Sequence, residues 1–365
     1  MRTRNWFKLL AISVVVSACG GDSSNKTEEP KQSESAASST PSNAATAQAS
    51  SGASSSSEPV QPKLSFEDAV KRYVSESAAA LTGKDAKRYT ALYTPAAVVA
   101  VTGPKGWQET PVSEMDKILT GYFTGFPDLA FKYTRVLASG RYAIAEWVLT
   151  GTNKGDFMGK KPTNKKVGYR GASVLTFTED GRVQRESSYF DMGTIMGQLG
   201  LDPQGGKVRA VEALPTKDPE IVFGKDGSDA PARGWYTAAD KGDSKGLLAQ
   251  ATDDILVSNQ YMPSDTKGKK EVEKELAGGN KAFVDQKTEV VMCVAVGSVI
   301  GCELAWTATW KGDAMGMKAT GKKGMVHSLE VLELKDAKVA KTVAYANGLE
   351  FAGTFGLMDP PPSSK

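Results

Sequence analysis

Apolar residues recur at steps of three and four from Phe66 through Ala69, Val70, Tyr73 and Val74 to Leu81, the pattern of a helix with one buried face. A second short helix is predicted from Lys84 to Leu92, with a counterpart from Asp243 to Ala251. The pattern then turns to strands. Residues 131–150 and 167–191 are rich in Val, Tyr, Phe, Thr and Trp, with breaks at Ser139-Gly140, at Asp180-Gly181 and through the loop from Gly155 to Asn164. Helices followed by antiparallel hairpins predict an α+β domain.

The same pattern occurs twice. Glu146, Thr150, Thr152, Lys154, Gly155, Asp156, Met158 and Gly159 return at one constant spacing as Glu303, Thr307, Thr309, Lys311, Gly312, Asp313, Met315 and Gly316. Lys165-Lys166 returns as Lys322-Lys323, and Tyr189-x-Asp191 with Gly197 and Gly200 returns as Tyr345-x-Asn347 with Gly353 and Gly356. This agreement identifies a tandem duplication of a whole domain, since solenoid units are far shorter and need several neighbours. The copies are expected at 63–205 and 229–360, with a linker at 206–228 and a tail at 361–365.

The N-terminal segment belongs to neither copy. Arg2, Arg4 and Lys8 precede an apolar run from Leu9 to Val16, and Ser17-Ala18 lead into Cys19, the layout of an export signal over residues 1–18. Val16-Ser17-Ala18-Cys19 resembles the lipobox of bacterial lipoproteins, which implies acylation at Cys19, with the lipid as the contact to a membrane. Gly20, where an aspartate would imply retention at the inner membrane, implies the outer membrane. Without Arg2, Arg4 and Lys8 the basic and acidic residues are equal in number at 42, which argues against nucleic acid as a partner. Residues 19–62 carry long runs of Ser, Ala, Thr and Pro and no aromatic residue, so they read as a disordered tether.

Thr150-Gly151-Thr152-Asn153, Gly155, Gly159-Lys160, Pro162-Thr163, Lys165 and Val167, then Phe177, Asp180-Gly181-Arg182-Val183, Tyr189, Asp191 and Gln198-Leu199-Gly200 resemble the SnoaL-like polyketide cyclases (ester cyclases) of the nuclear transport factor 2-like superfamily. The likeness covers residues 66–203, and residues 232–358 join it mainly through the repeat. It implies two cone-shaped domains, each with N-terminal helices on a strongly curved antiparallel sheet around a pocket. It also implies that Asp191, at the end of the last strand, is a general base next to a carbonyl, with Asn153 or Tyr189 steadying the enolate. An alternative for Asp191 is a helix cap before Met192. Asn153 stands where many of these cyclases have a histidine, and an amide holds a carbonyl without moving a proton. The second copy has Asn347 and Trp310 at the Asp191 and Asn153 positions, so any cyclase or isomerase chemistry is expected in the first copy alone.

Strand alternation puts Glu146, Thr150, Thr152 and Lys154 on one face, all retained in the second copy. The other face, where the resemblance implies the pocket, reads Trp147, Leu149, Gly151 and Asn153 in the first copy and Leu304, Trp306, Ala308 and Trp310 in the second. The second cavity is therefore expected to be aromatic, either filled by its own tryptophans or suited to a flat apolar ligand. Cys293 and Cys302 flank a hairpin turn at Gly297-Ser298, and counting outward sets them opposite each other, which predicts a disulfide in an exported protein. The first copy has Val136 and Ala145 there.

His327, the single histidine, has no ligand partner at metal spacing, so no metal is expected. Gly316 to Lys322 nearly spells a phosphate loop, but Lys323 replaces the required Ser or Thr, and no cofactor is expected. The reading of the whole is a lipid-anchored protein at the outer membrane whose first copy binds a small apolar organic molecule, the two copies forming an intrachain pseudo-dimer. The alternatives are a cyclase or isomerase using Asp191, and a non-catalytic interaction scaffold.

Overall fold

The computed structural model describes residues 64–202, 206–224, 227–314 and 316–358. The export signal, Cys19, the tether and the tail lie outside the described residues.

The first copy opens with α1 (Phe66–Gly83), whose N-terminus is capped by the Ser65 side chain accepting from Asp68 N and whose end is marked by Lys84 in the left-handed region. α2 (Ala86–Thr90) is capped by Asp85. There follow β1 (Tyr93–Gly103), β2 (Gly106–Pro111), α3 (Met115–Gly125), β3 (Ala130–Ser139), β4 (Tyr142–Thr152), β5 (Lys166–Phe177), β6 (Val183–Phe190) and α4 (Met192–Leu199). After β7 (Glu220–Phe223), the second copy repeats the series. It comprises α5 (Ala230–Asp240), α6 (Ser244–Ala249), β8 (Ala251–Asn259), β9 (Thr266–Lys267), α7 (Lys269–Ala282), β10 (Phe283–Val296), β11 (Val299–Trp310), β12 (Lys323–Lys335), β13 (Lys338–Ala346) and α8 (Gly348–Thr354). The protein is α+β with two sheets, ordered β2-β1-β6-β5-β4-β3-β7 and β10-β11-β12-β13-β8-β9.

Two features differ from the sequence reading. The helices do not all come first, because α3 and α7 are set between strands. The linker is not only a connector either: β7 joins the first sheet as a parallel edge strand beside β3, Arg135 pairing with Glu220 and Ala138 with Phe223. Added to the sheet, this strand supplies backbone partners to an edge that would otherwise be unpaired.

One face of each sheet wraps the helices of its own copy. In the first copy this encloses a continuous core including Val70, Tyr73, Trp147, Leu175 and Ile195. The opposite faces meet each other. Leu137, Ile144, Ala172, Val174 and Tyr189 pack with Val294, Leu329, Val331, Val343 and Tyr345. Gly301 permits this approach, since a Cβ there would lie 2.5 Å from Ile144 Cδ1. Of the face shared by the two sequences, Glu146 and Glu303 lie at the contact between the copies. Tyr345 Oη donates to Glu146 Oε1 at 2.7 Å, and reciprocally Tyr189 Oη donates to Glu303 Oε1 at 2.7 Å.

The hairpin register is the one counted from the turn: Val296 faces Val299 and Cys293 faces Cys302. The two cysteines are joined, with Cα atoms 4.1 Å apart. Among the described residues no helix is long and apolar enough to cross a membrane.

Candidate functional site

On β4, Trp147, Leu149, Gly151 and Asn153 face the interior of the first copy, as alternation requires. Trp147 lies flat because Gly171 is opposite it, where a Cβ would come within 2.2 Å of the indole ring. Its ring stacks near Phe131, Tyr169 and Phe190, and its Nε1 donates to Ser173 Oγ at 3.1 Å. Gly151 accommodates Phe126 in the same way.

The three residues expected to carry chemistry stand differently. Asn153 is buried and spends its amide on the loop that follows it: Nδ2 donates to Gly125 O at 3.2 Å and Gly155 O at 2.8 Å, while Oδ1 accepts from Thr163 N at 2.8 Å. It is a loop clamp with no group left for a substrate carbonyl. Tyr189 points away from the interior to Glu303, because it alternates with Phe190, which takes the inward position. It is therefore removed from any enolate in the cone.

Asp191 caps α4. Oδ1 accepts from Gly193 N at 3.1 Å and from Gly348 N of the second copy at 2.9 Å, and Oδ2 accepts from Thr194 N and Thr194 Oγ1, both at 2.7 Å. Burial raises its carboxyl above the usual range, and the hydrogen bonds from Thr194, Gly348 and Gly193 oppose that rise. Four donors fill a carboxylate well. The geometry is that of a cap bonded across the copies, not of a base open to an apolar cavity.

The interior contains polar groups that alternation alone did not single out. Glu186, inward on β6, is buried and accepts from Ser173 Oγ and Ser188 Oγ at 2.8 Å each, from Tyr89 Oη at 3.0 Å, from Tyr73 Oη at 3.3 Å and from Tyr93 Oη. Burial first, and then the Glu186 charge, push the Tyr73, Tyr89 and Tyr93 hydroxyls well above the ordinary phenol value, so they stay protonated as donors. This carboxylate is saturated by hydroxyls of the protein itself.

Tyr122 and Tyr169 are different. Burial raises the Tyr122 hydroxyl to about 12, and it raises Tyr169 well above the usual value, with Tyr122 near enough to add to the effect. Tyr169 is 4% exposed. Neither hydroxyl has a hydrogen-bond partner among the described residues. Phe157 meets the Tyr122 ring, and Trp147 and the partly exposed Phe190 meet that of Tyr169. Tyr122 is half-buried, and neither hydroxyl is among the fully enclosed polar atoms that lack a partner, so both remain open to water or to a ligand oxygen.

The model of the SnoaL-like polyketide cyclase family matches this chain twice, at residues 75–199 and 230–352. The chain belongs to that family. Solved structures similar to it include AclR from Streptomyces galilaeus, at 24% identity over 37% of this chain and 84% of that one, TM-score 0.34. TsrD from Streptomyces laurentii matches at 14% identity over 35% and 93%, TM-score 0.32. An LEH-like epoxide hydrolase from M. tuberculosis matches at 14% identity over 34% and 86%, TM-score 0.29. A search of curated proteins gives no match.

The second SnoaL-like copy has rewritten the same positions. Trp310, fully buried, donates from Nε1 to Gly312 O at 2.6 Å, repeating the Asn153 bond to Gly155 with an indole in place of the amide. With Phe283, Phe351 and Phe355 it fills one end of the second cone, and Trp306 stacks on Phe283 at 5.3 Å. The expectation of a filled aromatic cavity is met at that end only. Further in, the inward residues Trp306, Ser328 and Glu330 are half-buried, whereas Leu149, Gly171 and Ser173 at the same places in the first copy are buried. Asn347, at the Asp191 position, caps α8 by accepting from Leu349 N at 3.1 Å and donates from Nδ2 to Thr102 O of the first copy at 2.6 Å, so it does not line a pocket. His327 Nδ1 pairs with the buried Glu350 at 2.6 Å. Among the described residues no cluster of His, Cys, Asp or Glu is arranged to hold a metal.

Proposed function

We propose that this protein is an exported, lipid-anchored binding protein whose first SnoaL-like copy takes a small, largely apolar organic molecule carrying an oxygen acceptor. The observation that carries the reading is Tyr169, a buried side chain whose hydroxyl closes no hydrogen bond among the described residues, with Trp147 and Phe190 against its ring and the half-buried Tyr122 near it. The apolar walls supply binding energy, and the two hydroxyls supply orientation toward a carbonyl or ether oxygen. The catalytic alternative has less support, because Asp191 and Asn153 are already engaged. The two copies act as an intrachain pseudo-dimer, their sheets back to back and the reciprocal Tyr–Glu bonds fixing the pairing.

The test is a binding titration followed by tryptophan fluorescence, with acetophenone against ethylbenzene as its hydrocarbon match. The ketone is expected to bind about tenfold tighter, the worth of one good buried hydrogen bond, and Tyr169→Phe is expected to erase that preference. Equal binding of the two probes, or an unchanged preference in Tyr169→Phe, refutes it. Anchoring is tested separately: Cys19→Ser is expected to move the protein out of the outer-membrane fraction, and continued association refutes acylation at Cys19.

A further inference from the structure

The first copy carries exposed apolar side chains that its fold does not require. In each copy the loop that follows β4 or β11 hangs from the end of the helix set between the strands by the same two backbone bonds. Lys154 N and Gly155 N donate to Gly125 O on α3 at 3.0 and 3.2 Å, and Lys311 N and Gly312 N donate to Ala282 O on α7 at 2.8 and 2.9 Å. The backbone itself therefore matches the equivalent positions. Ile118, Tyr122 and Phe157 of the first copy stand where the second has Glu275, Gly279 and Ala314. A helix and loop that keep this arrangement with a glutamate, a glycine and an alanine do not need the larger apolar residues to form it.

These side chains form one surface. Ile118, Tyr122 and Gly125 follow one another at steps of four and three along α3, so they share a stripe. Gly125 leaves room for Phe157, since a Cβ built on it would lie 3.0 Å from Phe157 Cβ, and the Phe157 ring meets that of Tyr122 edge-on at 5.1 Å. Phe157 and Lys160 then bridge across the two-residue turn Met158-Gly159, both of whose residues are in the left-handed region, at φ 49° and 71°. Met158 is thereby turned outward at a tip and is 39% exposed, and Ile118 at the other end of the stripe is 42% exposed. Lys154, Lys160 and Lys161 beside the tip are exposed as well. Asp156 pairs with Lys161 at 3.3 Å, and Lys160 has no acidic partner among the described residues.

We propose that this face of the first copy docks on an anionic lipid surface, with Ile118 and Met158 entering the headgroup layer and the lysines beside Met158 meeting lipid phosphates. A protruding apolar tip suits a soft partner that closes around it, and each basic side chain next to an anionic bilayer adds about fivefold in affinity. A free phosphate ion leaves the apolar residues without a role, and a second copy of this chain would set lysine against lysine. The insertion is shallow, because among the described residues no helix is long and apolar enough to cross a membrane. The inference depends neither on the ketone site nor on acylation at Cys19.

The chain from Gly20 onward keeps both copies and the tether and has neither the export signal nor the cysteine, so no acyl group contributes. It is sedimented with vesicles of phosphatidylglycerol and phosphatidylcholine in equal parts, and with vesicles of phosphatidylcholine alone. Binding is expected to be about tenfold tighter to the anionic vesicles, to weaken about tenfold in about 0.5 M sodium chloride, and to persist against millimolar glycerol phosphate, the soluble headgroup. The double variant Ile118→Ser, Met158→Ser is expected to weaken binding about tenfold at an unchanged unfolding midpoint, and Lys160→Glu with Lys161→Glu to remove the anionic preference. An environment-sensitive dye on Ile118→Cys is expected to brighten on the anionic vesicles, and the same dye on Glu275→Cys in the second copy is not. Absence of binding, equal binding to the two vesicles, unaltered binding in the serine variant, or equal brightening at the two positions overturns the proposal. Competition by glycerol phosphate overturns it in favour of a phosphate site, and a smaller sedimenting species in the serine variant without vesicles overturns it in favour of self-association. Docking through this face alone is reversible and salt-sensitive, so a membrane fraction washed in about 0.5 M salt still reads acylation at Cys19 separately.

Discussion

Arg135→Met is the most informative single change, because the protein already contains the comparison. Arg135 pairs in register with Glu146, and the corresponding position in the second copy is Met292, paired with Glu303. Arg135 Nε donates to Glu146 Oε2 at 2.6 Å and its Nη1 donates to Glu333 Oε1 of the second copy at 2.9 Å. The Arg135 and Glu146 side chains are 15% and 8% exposed, so water cannot replace the guanidinium. Glu333 keeps Lys341 at 3.0 Å, whereas Glu146 keeps the Tyr345 hydroxyl and only the more distant field of Arg170. Removing one partner of a buried pair costs about 3–5 kcal/mol, most of it the unpaired charge left behind.

The double variant Arg135→Met, Glu146→Gln removes that charge and keeps an oxygen for the Tyr345 hydroxyl, so it is expected to recover at least about 2 kcal/mol of the loss. Urea unfolding followed by tryptophan fluorescence reads both values from the midpoint at constant slope. The reasoning fails if Arg135→Met costs less than about 1 kcal/mol, or if the double variant is no more stable than the single one. Glu303 tolerates Met292 because it is only half-buried and has Tyr189, which sets why the same side chain is harmless in one copy and costly in the other.

Three further outcomes are expected. Asp191→Asn replaces an acceptor that takes two bonds from Thr194 with an amide NH2, and should lower stability by about 2 kcal/mol without altering ketone affinity; an unchanged unfolding midpoint contradicts the cap. Alkylation under non-reducing conditions should modify neither Cys293 nor Cys302, and replacing both with Ala should cost about 2–3 kcal/mol through the freed hairpin loop. Glu330, whose carboxyl rises from 4.5 when unfolded to about 7 when folded, favours the folded state fully below pH 4.5 and loses that contribution as pH climbs through 7. The change is at most about 3 kcal/mol, and less because the half-buried side chain is partly screened by water. Glu330→Gln should flatten stability between pH 5 and 8, and identical slopes for the two proteins would count against the burial.

Much of the architecture is local in origin and was therefore readable from the chain. The duplication is a spacing, the α1 helix is a period, and the Cys293–Cys302 register follows from a two-residue turn counted outward. The inward set Trp147, Leu149, Gly151 and Asn153 follows from alternation on one strand. What alternation does not give is the meaning of the opposite face, because each sheet is buried on both sides: one side meets its own helices and the other meets the second copy. Along β6, Arg185-Glu186-Ser187-Ser188-Tyr189-Phe190 has no hydrophobic periodicity to say which parity points inward. Nothing in that stretch singles out Glu186, and Tyr189, for which the family resemblance implies a place beside an enolate, turns to Glu303 of the other copy instead. The sequence by itself determined two related α+β copies and the pairs of positions that differ between them. Only the tertiary structure decided that Asp191 and Asn347 are caps bonded across the copies, that Glu146 and Glu303 are held by tyrosines from the other sheet, and that the Glu186 carboxylate gathers five hydroxyls inside the first copy, because those outcomes depend on contacts between residues far apart in the chain.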